Sequence, residues 1–328
     1  MSKEKTCYIA EKRGKVGGQA VLEGVMMKSG DNVSLTVRKD DGTVETKNSK
    51  FVSAKSKYAI CRLPIIRGIV GFVESLILSF STLNDSAEML GIDEELDDGK
   101  KKKNPDGTEK ESHALDIMMG ISMVLGVALF LFLFMFLPTF FTKLIERLTG
   151  DLGLFKSVIE GVIKISLFIS YMLLVSLMKD IRRTFEYHGA EHKSIFCYEA
   201  GLELTVENVR KQSRFHPRCG TSFMFVMLII SIISGLFITW DNQLLRVLIK
   251  VLLMPLVMGV GYEFLIYAGK HDNIAVRILS APGLWMQRIT TREPDDSQIE
   301  CAIISLKAAM PEEFPPEETQ NENKDEQE

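Results

Sequence analysis

The chain has 328 residues, 46% hydrophobic and 25% charged, with a formal net charge of −4 at pH 7. So small a charge, with basic residues scattered or set in loops between apolar runs, excludes a nucleic-acid binder. The five cysteines (Cys7, Cys61, Cys197, Cys219, Cys301) lie far apart without a CxxC pair, which excludes a disulfide framework and makes a reducing compartment the expectation.

The opening residues, MSKEKTCYIAEKRGK, hold no apolar core followed by a small-residue cleavage site, so no signal peptide is expected and insertion relies on internal segments. Residues 17–27, GGQAVLEGVMM, flank a short apolar stretch and one acid with glycines. They read as turn plus strand, and they lack the Gly-Lys-Ser/Thr ending of a phosphate loop. Residues 32–46 alternate around Asp41-Gly42, a β-hairpin in a small N-terminal domain at 1–62. From Ile65 to Phe80 only Arg67 and Glu74 interrupt the apolar run, which predicts a helix over 63–90 lying on the membrane, dipping into it or packing on the bundle. Residues 91–113 are acidic, then basic, then turn-forming, and read as a flexible charged linker.

Four stretches approach the roughly 20 apolar residues that cross a bilayer as helix. They are 117–137, closed by Pro138; 165–178, which needs the preceding turn with Glu160 and Lys164; 222–239, ending at Trp240; and 251–268, uncharged apart from Glu263. Glu160 and Lys164, four apart, are expected to pair on one helix face. Lys179, Arg182, Arg183, Lys193, Arg210, Lys211, Arg214 and Arg218 crowd the loop at 179–220, whereas the other side holds few basic residues, among them Lys143, Arg147, Lys156 and Arg246. Lys and Arg accumulate on the cytoplasmic side, so that loop and both termini are expected there, in a multi-pass protein of the cell membrane. After the membrane domain at 114–270, the segment 271–310 carries Ile299, Ala302, Ile303 and Leu306 at helical spacing, an amphipathic helix, and the acidic tail at 311–328 is expected to be disordered. The expected fold is thus an all-α polytopic membrane protein with about four transmembrane helices, a small N-terminal β-containing domain and a cytoplasmic helical loop. Membrane lipids are the expected partners and a homo-oligomer is allowed; no internal repeat supports an inverted-repeat transporter.

Chemistry concentrates in two places. In EYHGAEHK, residues 186–193, His188 and His192 are four apart and share a helix face, and Glu191 flanks it as a candidate general base. The pattern His-x-x-Glu-His is that of inverted zinc peptidases, although two solvated surface histidines are the blander account. In RFHPRCGTS, residues 214–222, Pro217 disfavours helix at His216 and Gly220 permits a tight turn, so His216 and Cys219 can project from one irregular loop. Both clusters lie at the same membrane face, and their nitrogens and thiolate suit zinc, with ferrous iron the alternative divalent metal. Cys219 alone would read as a small buried hydrophobe. Glu263 is an intramembrane candidate or a structural partner for Arg182, Arg183 or another helix. Glu199, seven after His192, reads as solvated, and His271 with Asp272 as outer support or a polar cap.

The segments 17–27 (GGQAVLEGVMM), 187–195 (YHGAEHKSI), 204–209 (LTVENV), 214–223 (RFHPRCGTSF) and 289–296 (ITTREPDD), in this order, resemble the YqhQ-like family of bacterial membrane proteins, a domain of unknown function often described as a predicted metal-dependent enzyme. The lysines at 100–103 lie outside the resemblance. It implies a membrane location and a metal, carried here onto His188, His192, His216 and Cys219, and no established reaction. The leading expectation is a metal-dependent hydrolase at the cytoplasmic face of the membrane with Glu191 as general base. Three nitrogens plus Cys219 would close a tetrahedron, so a non-catalytic scaffold or assembly factor with structural zinc is the alternative. An ion or metal transporter, drawing on Glu263 and Lys164, comes third.

Overall fold

The computed structural model describes residues 11–92, 113–153, 155–238, 242–271 and 273–315. Most of the linker, the tail beyond 315, Trp240 and Asp272 lie outside the described residues. Strands β1 (Val16–Val21), β2 (Gly24–Ser29), β3 (Asn32–Arg38) and β4 (Val44–Lys50) form an antiparallel meander in chain order. The Asp41-Gly42 hairpin is present, with Arg38 paired to Val44. The segment 17–27 adds a second hairpin whose two-residue turn, Leu22-Glu23, holds Glu23 at φ 48°. Gly24 cannot carry a side chain, because a Cβ there would fall on the Thr36 carbonyl of β3.

The helices are α1 (Ile66–Met89), α2 (His113–Leu131), α3 (Leu137–Thr149), α4 (Phe155–Val175), α5 (Lys179–Glu199), α6 (Val206–Arg210), α7 (Gly220–Gly235), α8 (Gln243–Lys270), α9 (Ile274–Thr290) and α10 (Asp296–Ala308). Gly24 to Met27 of β2 and Val33 to Val37 of β3 are buried at every position, because both faces of the sheet are covered. On one face α5 and α10 pack Tyr187, Ala190, Ile299, Ala302 and Leu306 against Val16, Val25 and Met27. On the other, Val21, Met26, Val33, Leu35 and Val37 meet Leu78, Met89 and Leu90 at the end of α1. Helix α10 starts at a capping box in which Asp295 and Gln298 satisfy each other's backbone amides, and it buries the expected Ile299, Ala302, Ile303 and Leu306. The N-terminal strands, α5 and α10 therefore share one core, although residues 51–178, which carry α1 to α4 and the charged linker, separate the strands from α5.

The described residues are mostly helical, and among them four helices are long and apolar enough to cross a membrane: Ile66–Met89, Val124–Thr149, Phe155–Val175 and Leu244–Ala268. Leu125, Phe155, Leu174 and Leu252 are exposed on their outer faces, an arrangement that suits an apolar surrounding. Three details differ from expectation. Pro138 does not end its helix: a π turn at Phe132–Phe136 absorbs the missing N–H and the chain continues helically to Thr149. The stretch 222–239 yields α7 of only 16 residues, shorter than a full crossing, whereas α1 is long enough. Yet α1 divides its length, with Gly68 and Gly71 against Gly259 and Tyr262 of α8 and its far end on the sheet. Finally, Glu160 and Lys164 form no ion pair. Glu160 is held by Lys250, Arg246 and the Thr139 hydroxyl, and Lys164 donates to Ser231 Oγ at 3.2 Å. Packing of α4 against α3 and α7, with Arg246 and Lys250 reaching across from α8, offers better-placed partners than the next turn of the same helix.

Candidate metal centre

Helix α5 carries His188, Glu191 and His192 toward the start of α7, where Cys219 is the N-terminal cap residue with extended backbone angles. Gly189 lets α5 approach the 290–294 segment, since a Cβ there would fall on the Arg292 carbonyl. That segment and the 211–219 loop then dictate how the two imidazoles point. His188 Nδ1 donates to the Thr290 carbonyl at 2.8 Å and His192 Nδ1 to the Arg214 carbonyl at 2.6 Å. With each Nδ1–H committed to the main chain, each Nε2 presents its lone pair inward, the tautomer that metal-ligating histidines adopt. The ring centroids are 4.3 Å apart, His188 Nε2 lies 3.2 Å from Cys219 Sγ, and one ligand atom from each of His188, His192 and Cys219 falls within 4.8 Å of the others.

His216 does not complete this set. Its ring lies 5.5 Å from that of His192, but Nδ1 accepts from the Arg218 amide at 3.3 Å and Nε2 faces Glu199 Oε2 at 3.8 Å. Its backbone is clamped by Gln287, whose side-chain carbonyl accepts from His216 N at 2.7 Å and whose amide donates to His216 O at 2.7 Å. What draws the ring away is Glu199, which the sequence suggested as solvated and which is instead 2% exposed. Arg218 and the Gly14 amide also bind it. Burial alone would raise the Glu199 pKa; the bonds from His216, Gly14 and Arg218 prevail and hold it at about 2.

Glu191 sits beside the cluster, 5% exposed, under β1: a Cβ on Gly18 would lie 2.9 Å from Glu191 Cγ. Burial pushes its carboxyl up to about 8; His188 opposes the rise and Cys219 adds to it. Burial also pushes His192 and His216 down, favouring neutral imidazoles, while Cys219 is lowered, because contacts with His192 and Thr221 outweigh its burial. The remaining candidates stand elsewhere. Glu263 is paired with Arg67 of α1 and accepts from Ile65 N at 3.2 Å, so its partner is another helix. His271 stacks on Tyr267 at 4.1 Å at the end of α8. Gln287, Thr290, Arg214 and Gly18 were not singled out by spacing, although all four lie in or beside the short motifs that carried the resemblance.

No solved structure matches this chain. A Bacillus subtilis (strain 168) protein described as "Uncharacterized protein YqhQ" is 35% identical over 297 residues, covering 90% of this chain and 92% of that protein. The family model described as "Protein of unknown function (DUF1385)" matches residues 63–312, a span that holds every candidate ligand, and the chain belongs to that family.

Proposed function

We propose that the protein is a metal-dependent enzyme of the cell membrane, with His188, His192 and Cys219 as ligands and Glu191 as general base. The observation that carries this reading is the pair of imidazoles pinned through Nδ1 to main-chain carbonyls, with both Nε2 atoms converging on a thiol. Two neutral nitrogens and one sulfur suit a borderline-soft cation, zinc first and ferrous iron second. With His216 committed to Glu199, three protein donors leave a coordination position open, which is the catalytic rather than the structural arrangement. A cation held there supplies Lewis acidity toward a carbonyl or phosphoryl oxygen. Burial alone favours the neutral Glu191 carboxyl, and the positive charge of a bound cation would favour its carboxylate. That carboxylate could then take a proton from the attacking water and return it to the leaving group, a hydrolysis. The basic residues of the 179–220 segment support a cytoplasmic position for this face and for both termini, and a membrane-associated peptide or lipid is the substrate class proposed.

Near-complete burial of Glu191 and His192 favours a second reading, a structural zinc that staples α5, the 211–219 loop and α7 together in a scaffold or assembly factor. Elemental analysis of protein purified without chelators comes first: absence of stoichiometric zinc or iron sinks both readings. Glu191→Gln then separates them. Catalysis predicts retained metal and unchanged melting with loss of hydrolysis across a panel of peptide, ester and phosphoester substrates in liposomes, and loss of complementation in cells lacking the gene. Silence of Glu191→Gln, together with unfolding of Cys219→Ser, supports the staple.

A further inference from the structure

A second buried polar cluster lies where the first turns of α4 and α8 meet the last turns of α7, away from the metal ligands. Glu160, Lys164 and Arg246 are buried, and the Lys250 side chain is 8% exposed. Three cations surround one carboxylate, and no other carboxylate among the described residues pairs with them. The burial comes from the protein's own helices, so the imbalance holds whatever surrounds the bundle. Two unmatched charges in such a place are expensive unless an anion joins them.

Hydrogen-bond bookkeeping points the same way. Glu160 accepts through one oxygen from Lys250 and Thr139 and through the other from Arg246. Lys164 spends one N–H on Ser231 Oγ and Lys250 spends two, on Glu160 and Thr139. Among the described residues, the remaining ammonium protons and the Ser231 hydroxyl proton meet no acceptor, and Arg246 Nε is buried without one. Ser157, Glu160, Lys164, Ser231 and Lys250 line a cavity of about 10 Å³ here, the room of one small sphere. The Glu160 carboxylate is already taken up by Lys250, Arg246 and Thr139, so the donors of Lys164, Lys250 and Ser231 are what the cavity offers a guest. We propose that this cavity binds a single halide-sized anion, chloride in the cell, held by Lys164, Lys250 and Ser231.

The test uses full-length protein in detergent, with gluconate replaced by chloride at constant ionic strength while thermal melting is followed. The expected result is a saturable rise in midpoint, reproduced by bromide, with an anomalous bromide peak at hydrogen-bonding distance from Lys164 Nζ in soaked crystals. Lys164→Met weakens chloride binding by roughly a hundredfold or more, the scale set by losing one partner of a buried charge pair, with metal content unchanged. Should that variant fail to fold, Ser231→Ala, a smaller change, lowers the affinity several-fold. Coincident melting in chloride and gluconate without a bromide peak overturns the proposal. So does stabilisation by inorganic phosphate or anionic lipid micelles with none by chloride.

Discussion

The two buried polar clusters solve opposite problems. Around His188, His192 and Cys219 the surrounding groups are main-chain carbonyls that take up N–H donors, which leaves lone pairs facing inward. Around Lys164 and Lys250 the acceptors among the described residues are one carboxylate and the hydroxyls of Thr139 and Ser231, too few for the ammonium protons, which leaves donors facing inward. On the proposed readings, one arrangement takes a cation and the other an anion. Both lie where α7 ends, the first at its N-terminal cap and the second near its last turns. Burial raises the stakes of an unmatched group in the same way at both; the sign of what is missing is set by which partners the neighbouring helices supply.

The largest effect that separates the clusters is expected from Cys219→Ala. Loss of a ligand should weaken zinc by more than the roughly 10–100-fold that loss of an outer hydrogen-bond partner costs, read as metal per chain after dialysis. Chloride-dependent melting should persist in that variant; if it disappears, the two sites are one coupled unit and the comparison fails.

Next in size is acid destabilisation through Glu199, which lies beside the candidate metal centre. Its folded value of about 2 lies below its ordinary 4.5. The stability it contributes is therefore complete above pH 4.5 and is lost as pH falls from there toward 2, a contribution of at most about 3 kcal/mol by linkage. Glu199→Gln should remove that amount at neutral pH and flatten the acid limb of a denaturation profile between pH 5 and 2. An unchanged limb would mean that His216 is not held by Glu199 and is free to join the ligands.

The smallest effect is expected from Gly18→Ala. The added methyl would meet Met27 Sδ at 2.8 Å and Glu191 Cγ at 2.9 Å, so overpacking of about 1–3 kcal/mol should appear in chemical denaturation. Metal content should stay normal while activity falls, because Glu191 moves and the ligands do not. Equal loss of metal and activity would place the glycine on the ligands' side of the site.

Much of this site was legible as residue type and spacing. A pair of histidines four apart on a helix must share a face, and a Pro-flanked loop just before an apolar run must sit at the membrane rim, so His188, His192 and Cys219 could be named together. The roles of His216 and Glu199 were not legible, because spacing says nothing of Arg218 and Gly14, whose bonds make the buried Glu199 carboxylate tolerable and leave it facing the His216 imidazole. Gln287 was invisible for a similar reason. A lone glutamine in an amphipathic helix carries no signal until the backbone that it clamps is placed beside it.

In the fold, the apolar runs, the Asp-Gly hairpin and the helix behind Asp295 followed from local chemistry: length against bilayer thickness, turn residues and a capping box. Local pattern could not show that β1–β4, α5 and α10 build one core, since their contacts join residues more than a hundred positions apart and depend on which apolar face covers which. It also could not choose between the next turn of a helix and a neighbouring helix as the partner of Glu160 or Glu263. By itself the sequence determined which segments are apolar and which side chains can bind a cation. The tertiary structure decided which of those side chains meet, because hydrogen-bond direction and charge balance depend on distances that only the packed chain supplies.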